Sequence, residues 1–166
     1  PLNIVIRVSE VPYKKEDYKM GRNLKISKVL RNSTSILSYI KSSCYIENII
    51  EKRKAVSEGF DDVLFFNEKG YLSETSCANI FLVKNNRILT PKIENGLLRG
   101  IIRTWVINNF SVEEGEILYE DLKDADEIFV TNSLMGIMRV NKIEDITYRG
   151  SSVLDNIIDK YKDAIH

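Results

Sequence analysis

Histidine is the residue type whose scarcity excludes most in this sequence. Its 166 residues contain one histidine, His166, at the last position. Ser–His and Cys–His nucleophile pairs need an imidazole beside the nucleophile, and histidine-based zinc sites need it as a metal ligand. The sequence therefore argues against these three kinds of site. Catalysis by this chain must depend on lysine, carboxylate or tyrosine side chains, or on a cofactor.

Cysteine, net charge and long apolar runs are also scarce. The two cysteines, Cys44 and Cys77, lie far apart without the spacing of a metal site, which predicts free thiols in a reducing cytoplasm. Basic and acidic residues number 24 each, which gives no electrostatic basis for binding nucleic acid or an anionic membrane. No apolar run approaches the roughly 20 residues of a transmembrane helix, and the first residues lack the basic region of a secretion signal. We predict a cytoplasmic protein without a metal site that binds neither nucleic acid nor membrane.

A carboxylate stands at the centre of the most informative stretch, residues 71–81. We predict strands on both sides of it, at 62–67 and 79–84, and the turn residues Asn-Glu-Lys-Gly close the first of them. Glu74 is therefore expected where the sheet stops briefly, among small residues that allow a ligand to approach the backbone closely.

A helix is predicted shortly after Lys41. Ile46, Ile49 and Ile50 fall at helical spacing and Gly59 ends the pattern, which predicts a helix of about four turns. Lys41 thus stands just before a rigid element on which a reactive side chain can be mounted. A lysine at the edge of a helix is more often solvated, so the spacing alone leaves both interpretations open.

A second predicted helix, at 100–110, offers a place for an anion. Its inner side is expected to contain Ile101, Trp105 and Val106. Backbone amides at a helix N-terminus, next to a glycine that permits close approach, form a natural phosphate site. Close packing of this helix on a sheet through Gly100 explains the same residues equally well.

The remaining patterns predict one α+β core without an internal domain boundary. Residues 128–134 indicate a buried strand that ends in a hydroxyl-rich turn, and such polar residues serve either a ligand or their own backbone. Strands are also predicted at 3–9, 24–31 and 116–119, a loop at 11–23, a short helix at 121–125, and an amphipathic helix at 151–165 with Val153, Ile157, Tyr161 and Ile165 on one face.

Six short motifs follow one another along the chain. They are Lys-Ser-Ser-Cys-Tyr at 41–45, Ala-Val-Ser-Glu-Gly-Phe-Asp-Asp at 55–62, Gly-Tyr-Leu-Ser-Glu at 70–74, Ala-Asn-Ile-Phe at 78–81, Leu-Thr-Pro at 89–91 and Arg-Gly-Ile-Ile-Arg at 99–103. In this order they resemble the class IV aminotransferase family. These are the fold-type IV pyridoxal phosphate (PLP) enzymes, which include branched-chain and D-amino-acid aminotransferases and aminodeoxychorismate lyase. The sequence departs from the family pattern at Cys44, where asparagine is common, and at Arg139, where proline is frequent.

The resemblance implies the fold, the cofactor and the roles of individual residues. The fold is expected to be the large C-terminal domain of the D-amino-acid aminotransferase-like fold, an α+β mixed sheet or pseudo-barrel with flanking helices. With PLP as cofactor, Lys41 is implied as the catalytic Schiff-base lysine, Glu74 as the partner of the pyridine nitrogen, and Tyr45 as the phenol near the ring hydroxyl. The cofactor phosphate is expected to bind Gly100, Ile101, Ile102, Thr131 and Asn132, with Ser133 as a further candidate.

The resemblance also implies how much of an enzyme these residues represent. Relatives have a smaller N-terminal domain, whereas this sequence has no initiator methionine and opens directly into a strand-like run. Residues 1–166 are therefore expected to form a single PLP-binding large domain, with the first ~25–30 residues as the tail of, or link from, the smaller domain. We expect these residues alone to bind PLP weakly and turn over poorly. A homodimer is also implied.

Two reactions remain as alternatives. An aminotransferase would exchange an amino group with a 2-oxo acid, whereas an aminodeoxychorismate lyase would eliminate pyruvate and leave 4-aminobenzoate. Many branched-chain enzymes have Gly-Glu-Asn after the glutamate that corresponds to Glu74. This sequence has Cys-Ala-Asn at 77–79 instead, which is closer to the lyase branch. A non-catalytic domain that retains the scaffold is a further alternative. The presence of both Lys41 and Glu74 speaks against it, because the loss of either would be the expected sign of an inactive copy. A cysteine nucleophile would lack an internal histidine as its base.

Overall fold

The structure is a computed structural model that describes residues 4–150 and 152–165. Residues 4–10 have no regular secondary structure and their side chains are exposed. The strand predicted at 3–9 is therefore wrong where the structure describes it, and Asn3 lies outside the described residues. The loop predicted at 11–23 is also wrong, because a short helix and the start of a strand lie within it. The initial residue of the helix predicted at 151–165 and His166 are likewise outside the described residues.

Helices and strands alternate irregularly along the described part of the chain. The helices are α1 (Lys15–Met20), α2 (Ile46–Ser57), α3 (Ile101–Asn109), α4 (Tyr119–Lys123) and α5 (Ser152–Ile165), with 3-10 turns at Ile36–Ser38 and Ile93–Asn95. The strands are β1 (Arg22–Ile26), β2 (Asp62–Phe66), β3 (Leu72–Thr75), β4 (Asn79–Lys84), β5 (Arg87–Pro91), β6 (Val112–Gly115), β7 (Glu127–Asn132), β8 (Gly136–Ile143) and β9 (Ile146–Thr147). Among residues 4–150 and 152–165, none of the helices has the length and apolar composition of a membrane span.

The strands form one mixed sheet. Hydrogen bonding orders them β3-β2-β1-β8-β7-β4-β5-β6, and β9 pairs with β8 outside this path. β1 runs parallel to both β2 and β8, and β5 runs parallel to β6, whereas the other pairs are antiparallel. The sheet curls until its two ends approach each other, since the amide of Leu72 in β3 donates to the carbonyl of Ile117, just after β6, at 2.8 Å. The chain thus has the α+β half-barrel with flanking helices that the resemblance implied.

The central strands direct alternate side chains into two apolar cores. Ile80 and Leu82 of β4 point into the half-barrel, whereas Phe81 and Val83 point into the layer where α3 and α5 pack. Phe81 stacks on Phe129 of β7 with ring centroids 4.8 Å apart. Burial of both faces explains why β4 is an almost continuous apolar run.

Periodicity located the larger elements and misplaced some smaller ones. The predicted helices at 46–59 and 100–110 and the strands at 62–67 and 79–84 are confirmed within two residues at each end. The strand predicted at 24–31 begins and ends earlier, as β1. The strand predicted at 116–119 is wrong, because the nearby strand, β6, ends at Gly115 and a helix, α4, begins at Tyr119.

The faces of the helices were predicted less well than their positions. On α3, Val106 is fully buried as expected, but Ile101 is 73% exposed because the inward position is taken by Ile102. On α5, Ile157 is fully buried as expected, whereas Ile165 is 59% exposed at the end of the helix.

Helix α2 buries a polar face and exposes an apolar one. Asn48 and Glu51 are 6% and 7% exposed, whereas Ile46 and Val56 are 66% and 53% exposed. The isoleucine spacing that predicts this helix therefore marks its outer side. As a result, the amide side chain of Asn48 points inward, toward the stretch that contains Glu74.

Candidate active site

Glu74 lies within β3, so the prediction that it sits at an interruption of the sheet is wrong. Leu72–Thr75 is a continuous strand that pairs with β2, with a shift of register along the pair. The Glu74 side chain is 14% exposed. Its Oε2 atom accepts a hydrogen bond from the backbone N–H of Leu98 at 3.2 Å and one from Nδ2 of Asn79 at 3.5 Å. The carboxylate is therefore inward-facing and held by neutral donors.

The surroundings of Glu74 bring its ionisation close to neutral pH. Burial raises the pKa of this carboxyl to about 7, because the charged form loses water. The Arg31 guanidinium, the Leu98 N–H and the Lys41 ammonium oppose this effect. A carboxyl in this environment can be ionised by a modest change in local charge.

Lys41 and Tyr45 lie on the segment that leads into α2. Lys41 is exposed between the 3-10 turn at 36–38 and α2, and its charge acts on Glu74. Tyr45 immediately precedes α2, and its hydroxyl donates to the carbonyl of Ser76. Burial raises the pKa of Tyr45 to about 12, so the phenol keeps its proton at neutral pH. The structure thus brings Lys41, Tyr45 and Glu74 to one region.

The first turn of α3 approaches the same region through Asn79. Nδ2 of Asn79 donates to the carbonyl of Leu98 at 2.8 Å, and its Oδ1 occupies the space that a Cβ on Gly100 would need. No side chain of the described residues caps the helix at Gly100. The first amides, including those of Ile101 and Ile102, therefore remain available to an anion.

Thr131 and Asn132 direct their side chains to opposite sides of β7. Thr131 pairs with Asn79 in the ladder, and its hydroxyl oxygen is buried without a hydrogen-bond partner among the described residues. The side chain of Asn132 instead closes the following turn, where its Oδ1 accepts from the amides of Leu134 at 3.0 Å and Met135 at 2.7 Å. A phosphate role for Asn132 stays a prediction, and its side chain already has the local use that strand-end residues commonly have.

The donor set fits PLP. The buried carboxylate of Glu74 suits a protonated pyridine nitrogen, and Lys41 supplies an amine within electrostatic reach of that carboxylate. The uncapped first turn of α3 and the unpaired hydroxyl of Thr131 suit a phosphate. These residues could hold the cofactor from its ring nitrogen to its phosphate.

Three residues of the candidate site were not predicted from the sequence. Asn79 joins Glu74 to α3 and belongs to the Ala-Asn-Ile-Phe motif, so the motif could have identified it. Arg31 lies 3.7 Å from Glu74 and also donates to Asn48 at 2.7 Å. No pattern in the sequence distinguishes Arg31 or Asn48 from solvated residues, because only the tertiary fold brings them to Glu74.

The sequence is similar to those of class IV enzymes. The family described as "Amino-transferase class IV" matches residues 2–143. The probable branched-chain-amino-acid aminotransferase of Aquifex aeolicus is 32% identical over 144 residues, which cover 77% of this chain and 46% of that protein. The aminodeoxychorismate lyase of Bacillus subtilis is 29% identical over 144 residues, which cover 84% of this chain and 49% of that protein. The chain spans about half the length of these curated relatives.

Solved structures have the same fold. A putative 4-amino-4-deoxychorismate lyase from Legionella pneumophila has a TM-score of 0.83 and 37% identity, and the match covers 86% of this chain and 56% of that one. A branched-chain aminotransferase from Thermoproteus uzoniensis, solved with norvaline, has a TM-score of 0.81 and 26% identity, with 86% and 50% covered. Since the family match includes most of the sequence and both structures share its architecture, the chain belongs to the class IV amino-transferase family.

Proposed function

We propose that this chain binds PLP and acts on amino-acid-type substrates, with Lys41 as its catalytic residue. The observation that supports this most is the buried carboxyl of Glu74, which Leu98 and Asn79 hold beside the uncapped first turn of α3. Burying an ionisable group costs free energy, and such groups concentrate at functional sites. The Lys41 ammonium is close enough to act on this carboxyl.

Each residue of the candidate site would have its own role in binding the cofactor or in catalysis. When bound, PLP supplies a ring that can hold the electrons of a carbanion. Glu74, as a carboxylate, would keep a proton on the ring nitrogen, because a nearby negative charge favours the protonated form. Lys41 would hold the cofactor aldehyde and, as a free amine, would move the α-proton of the substrate. Tyr45 would retain its proton near the ring hydroxyl. The phosphate would be bound by Gly100, Ile101, Ile102, Thr131 and Asn132.

Cofactor binding can be tested by absorption spectroscopy. Wild-type protein titrated with PLP should develop a new visible band that borohydride removes. The Lys41→Ala variant should not develop it, whereas Lys69→Ala, which changes an exposed lysine in the turn before β3, should behave as wild type. Equal bands in wild type and Lys41→Ala would refute the role of Lys41.

The reaction itself is proposed at a coarser level, because the chain spans about half the length of its relatives. Amino-group transfer to 2-oxoglutarate and release of 4-aminobenzoate are the two reactions to assay. The protein resembles both a named aminotransferase and a named lyase, and its Cys-Ala-Asn favours the lyase. Turnover in one assay alone would identify the branch. PLP binding at Lys41 without either activity would favour the alternative of a non-catalytic domain.

We infer that the protein works as a homodimer. The exposed apolar side of α2, formed by Ile46, Ile49, Ile50 and Val56, is a surface that a second copy could cover. Exposed apolar surface of this kind is unfavourable in water. Sedimentation velocity should therefore detect a dimer at micromolar concentration. A monomer at all concentrations would contradict the inference.

A cytoplasmic location is also proposed. Cys44 and Cys77 are both free thiols, as predicted. Free cysteines suit a reducing compartment. Fractionation of cells that express the protein should recover it with cytoplasmic markers, and recovery in an oxidising compartment would contradict this.

A further inference from the structure

Arg31 is fixed at the edge of the candidate active site. Its backbone N–H donates to the carbonyl of Phe66 at 2.8 Å, and its carbonyl accepts from the amide of Glu68 at 3.1 Å. The guanidinium carbon lies 4.1 Å from the centre of the Phe65 ring. Only 12% of the side chain is exposed. Arg31 is thus a packed cation and not a solvated one.

The nitrogens of the Arg31 guanidinium lie near one neutral side chain and two acidic ones. Nη1 donates to Oδ1 of Asn48 at 2.7 Å and lies 3.5 Å from Oε1 of Glu47. Nη2 lies 3.7 Å from Oε1 of Glu74, which is an ion pair but too long for a hydrogen bond. Nη2 and Nε are buried and have no hydrogen-bond partner in the described part of the chain. Unsatisfied donors of a cation therefore stand beside the buried carboxylate.

The two oxygens of Glu74 have different neighbours. Oε2 is bonded by Leu98 and Asn79, whereas Oε1 faces Arg31. Rotation of the Glu74 carboxylate would break a hydrogen bond to Oε2 or the ion pair with Arg31. We propose that Arg31 is a positioning residue that keeps the Glu74 carboxylate ionised and fixed in orientation for the ring nitrogen of PLP. This inference rests on the proposed PLP function.

Other charged groups near Glu74 cannot replace Arg31. Burial is the largest influence on the pKa of Glu74 and raises it, and Arg31 is the largest opposing influence, ahead of the Leu98 N–H and Lys41. Lys41 would have to be a neutral amine when it moves the α-proton of the substrate, whereas a guanidinium remains charged. The carboxylate of Glu47, on the other side of Arg31, is half exposed, so water screens it.

Asn48 links Arg31 to Tyr45, the phenol predicted to lie near the ring hydroxyl of the cofactor. Its Nδ2 donates to the carbonyl of Ser76 at 2.7 Å, and the hydroxyl of Tyr45 donates to the same carbonyl. One series of hydrogen bonds therefore connects Arg31 with the phenol expected at the ring hydroxyl. Loss of the Arg31 charge should act on Glu74 directly and on Tyr45 only through Asn48.

The direct test is the titration of Glu74 in cofactor-free protein, followed through its carboxyl carbon by NMR. In Arg31→Gln, which removes the charge and keeps a donor for Asn48, the Glu74 pKa should rise by about one unit or more. Arg31→Met should give a similar rise, and Arg31→Lys should restore part of the wild-type value. Arg22→Met is the matched control, because Arg22 is similarly buried at 16% exposure but pairs with Asp61. It should leave the titration unchanged.

A second readout is the pH dependence of PLP affinity. In Arg31→Gln the pH below which affinity declines should move upward with the Glu74 pKa, and affinity at neutral pH should fall about tenfold. An unchanged Glu74 titration in Arg31→Gln or in Arg31→Met, whichever folds, would overturn the proposal. A shifted titration in a protein whose wild type binds no PLP would refute the proposed function while supporting the action of Arg31 on Glu74.

Discussion

The Glu74→Gln substitution should remove a loss of stability that otherwise accompanies rising pH. Burial raises the pKa of Glu74 to about 7 in the folded chain, from an ordinary value of 4.5. Between these values the folded protein binds more protons than the unfolded protein, so the free energy of unfolding decreases as pH rises. Full stability is present below the ordinary pKa and has been lost once the pH exceeds the folded value.

The size of this effect follows from the two pKa values of Glu74. A difference of about 2.5 pH units corresponds to roughly 3 kcal/mol of unfolding free energy. Glutamine keeps an oxygen for the Leu98 N–H and the Asn79 amide but cannot ionise. Above about pH 8, cofactor-free Glu74→Gln should therefore be more stable than wild type by about 2–3 kcal/mol, and below about pH 5 the two should be similar.

The difference in unfolding free energy can be measured by urea unfolding between about pH 5 and pH 8. The fluorescence of the single tryptophan, Trp105, reports the unfolding. Glu68→Gln is the control, because hydrogen bonds from the Ser33 side chain and amide lower the pKa of Glu68. Its contribution is present at neutral pH and is lost as pH falls. Glu68→Gln should destabilise the protein at neutral pH but retain the decline caused by Glu74. Parallel pH profiles of the unfolding free energy for wild type and Glu74→Gln would contradict a raised pKa of Glu74 in the folded protein.

Two further substitutions test the packing around the site. Gly100→Ala should reduce the unfolding free energy by about 1–3 kcal/mol and weaken PLP binding, because the new Cβ would collide with Oδ1 of Asn79. Gly115→Ala is the control and should leave PLP binding unchanged, because a Cβ at Gly115 meets no neighbour. Equal PLP binding by both variants would contradict this prediction. Phe81→Ala should reduce the unfolding free energy by about 3–5 kcal/mol in urea, since it removes a fully buried ring stacked on Phe129, and a loss below about 1 kcal/mol would contradict it.

The sequence predicted those elements whose apolar residues have a clear period. Strand β4 is buried on both faces and is an almost continuous apolar run, so its position was predicted correctly. Helix α1 buries none of its residues, and therefore has no apolar period to detect. Strand β6 pairs in parallel with β5 through polar residues that the sequence does not distinguish from a loop.

The sequence was less informative about which way side chains point. The isoleucines of α2 locate the helix but lie on its exposed side, and Asn48 and Glu51 are buried instead. Ile101 is exposed for a similar reason, since Ile102 takes the inward position at the start of α3. Whether an apolar face meets the core or another surface depends on tertiary packing, which periodicity alone does not contain.

The site was predicted where a motif identifies it and missed where only the fold assembles it. Glu74 is far in sequence from Lys41 and Tyr45, yet the family motifs identified all three as candidates and the structure brings them to one region. Arg31 is 3.7 Å from Glu74 because β1 leads the chain past the end of β2. That contact depends on strand order, which no local pattern specifies.

Borohydride trapping would identify the lysine that binds PLP. The protein is incubated with PLP, reduced, digested and analysed by mass spectrometry to locate the pyridoxyl group. If Lys41 is the lysine that binds the cofactor, a stable label should be found on Lys41 and should disappear in Lys41→Ala. A label distributed over other lysines, with none at Lys41, would contradict this role of Lys41.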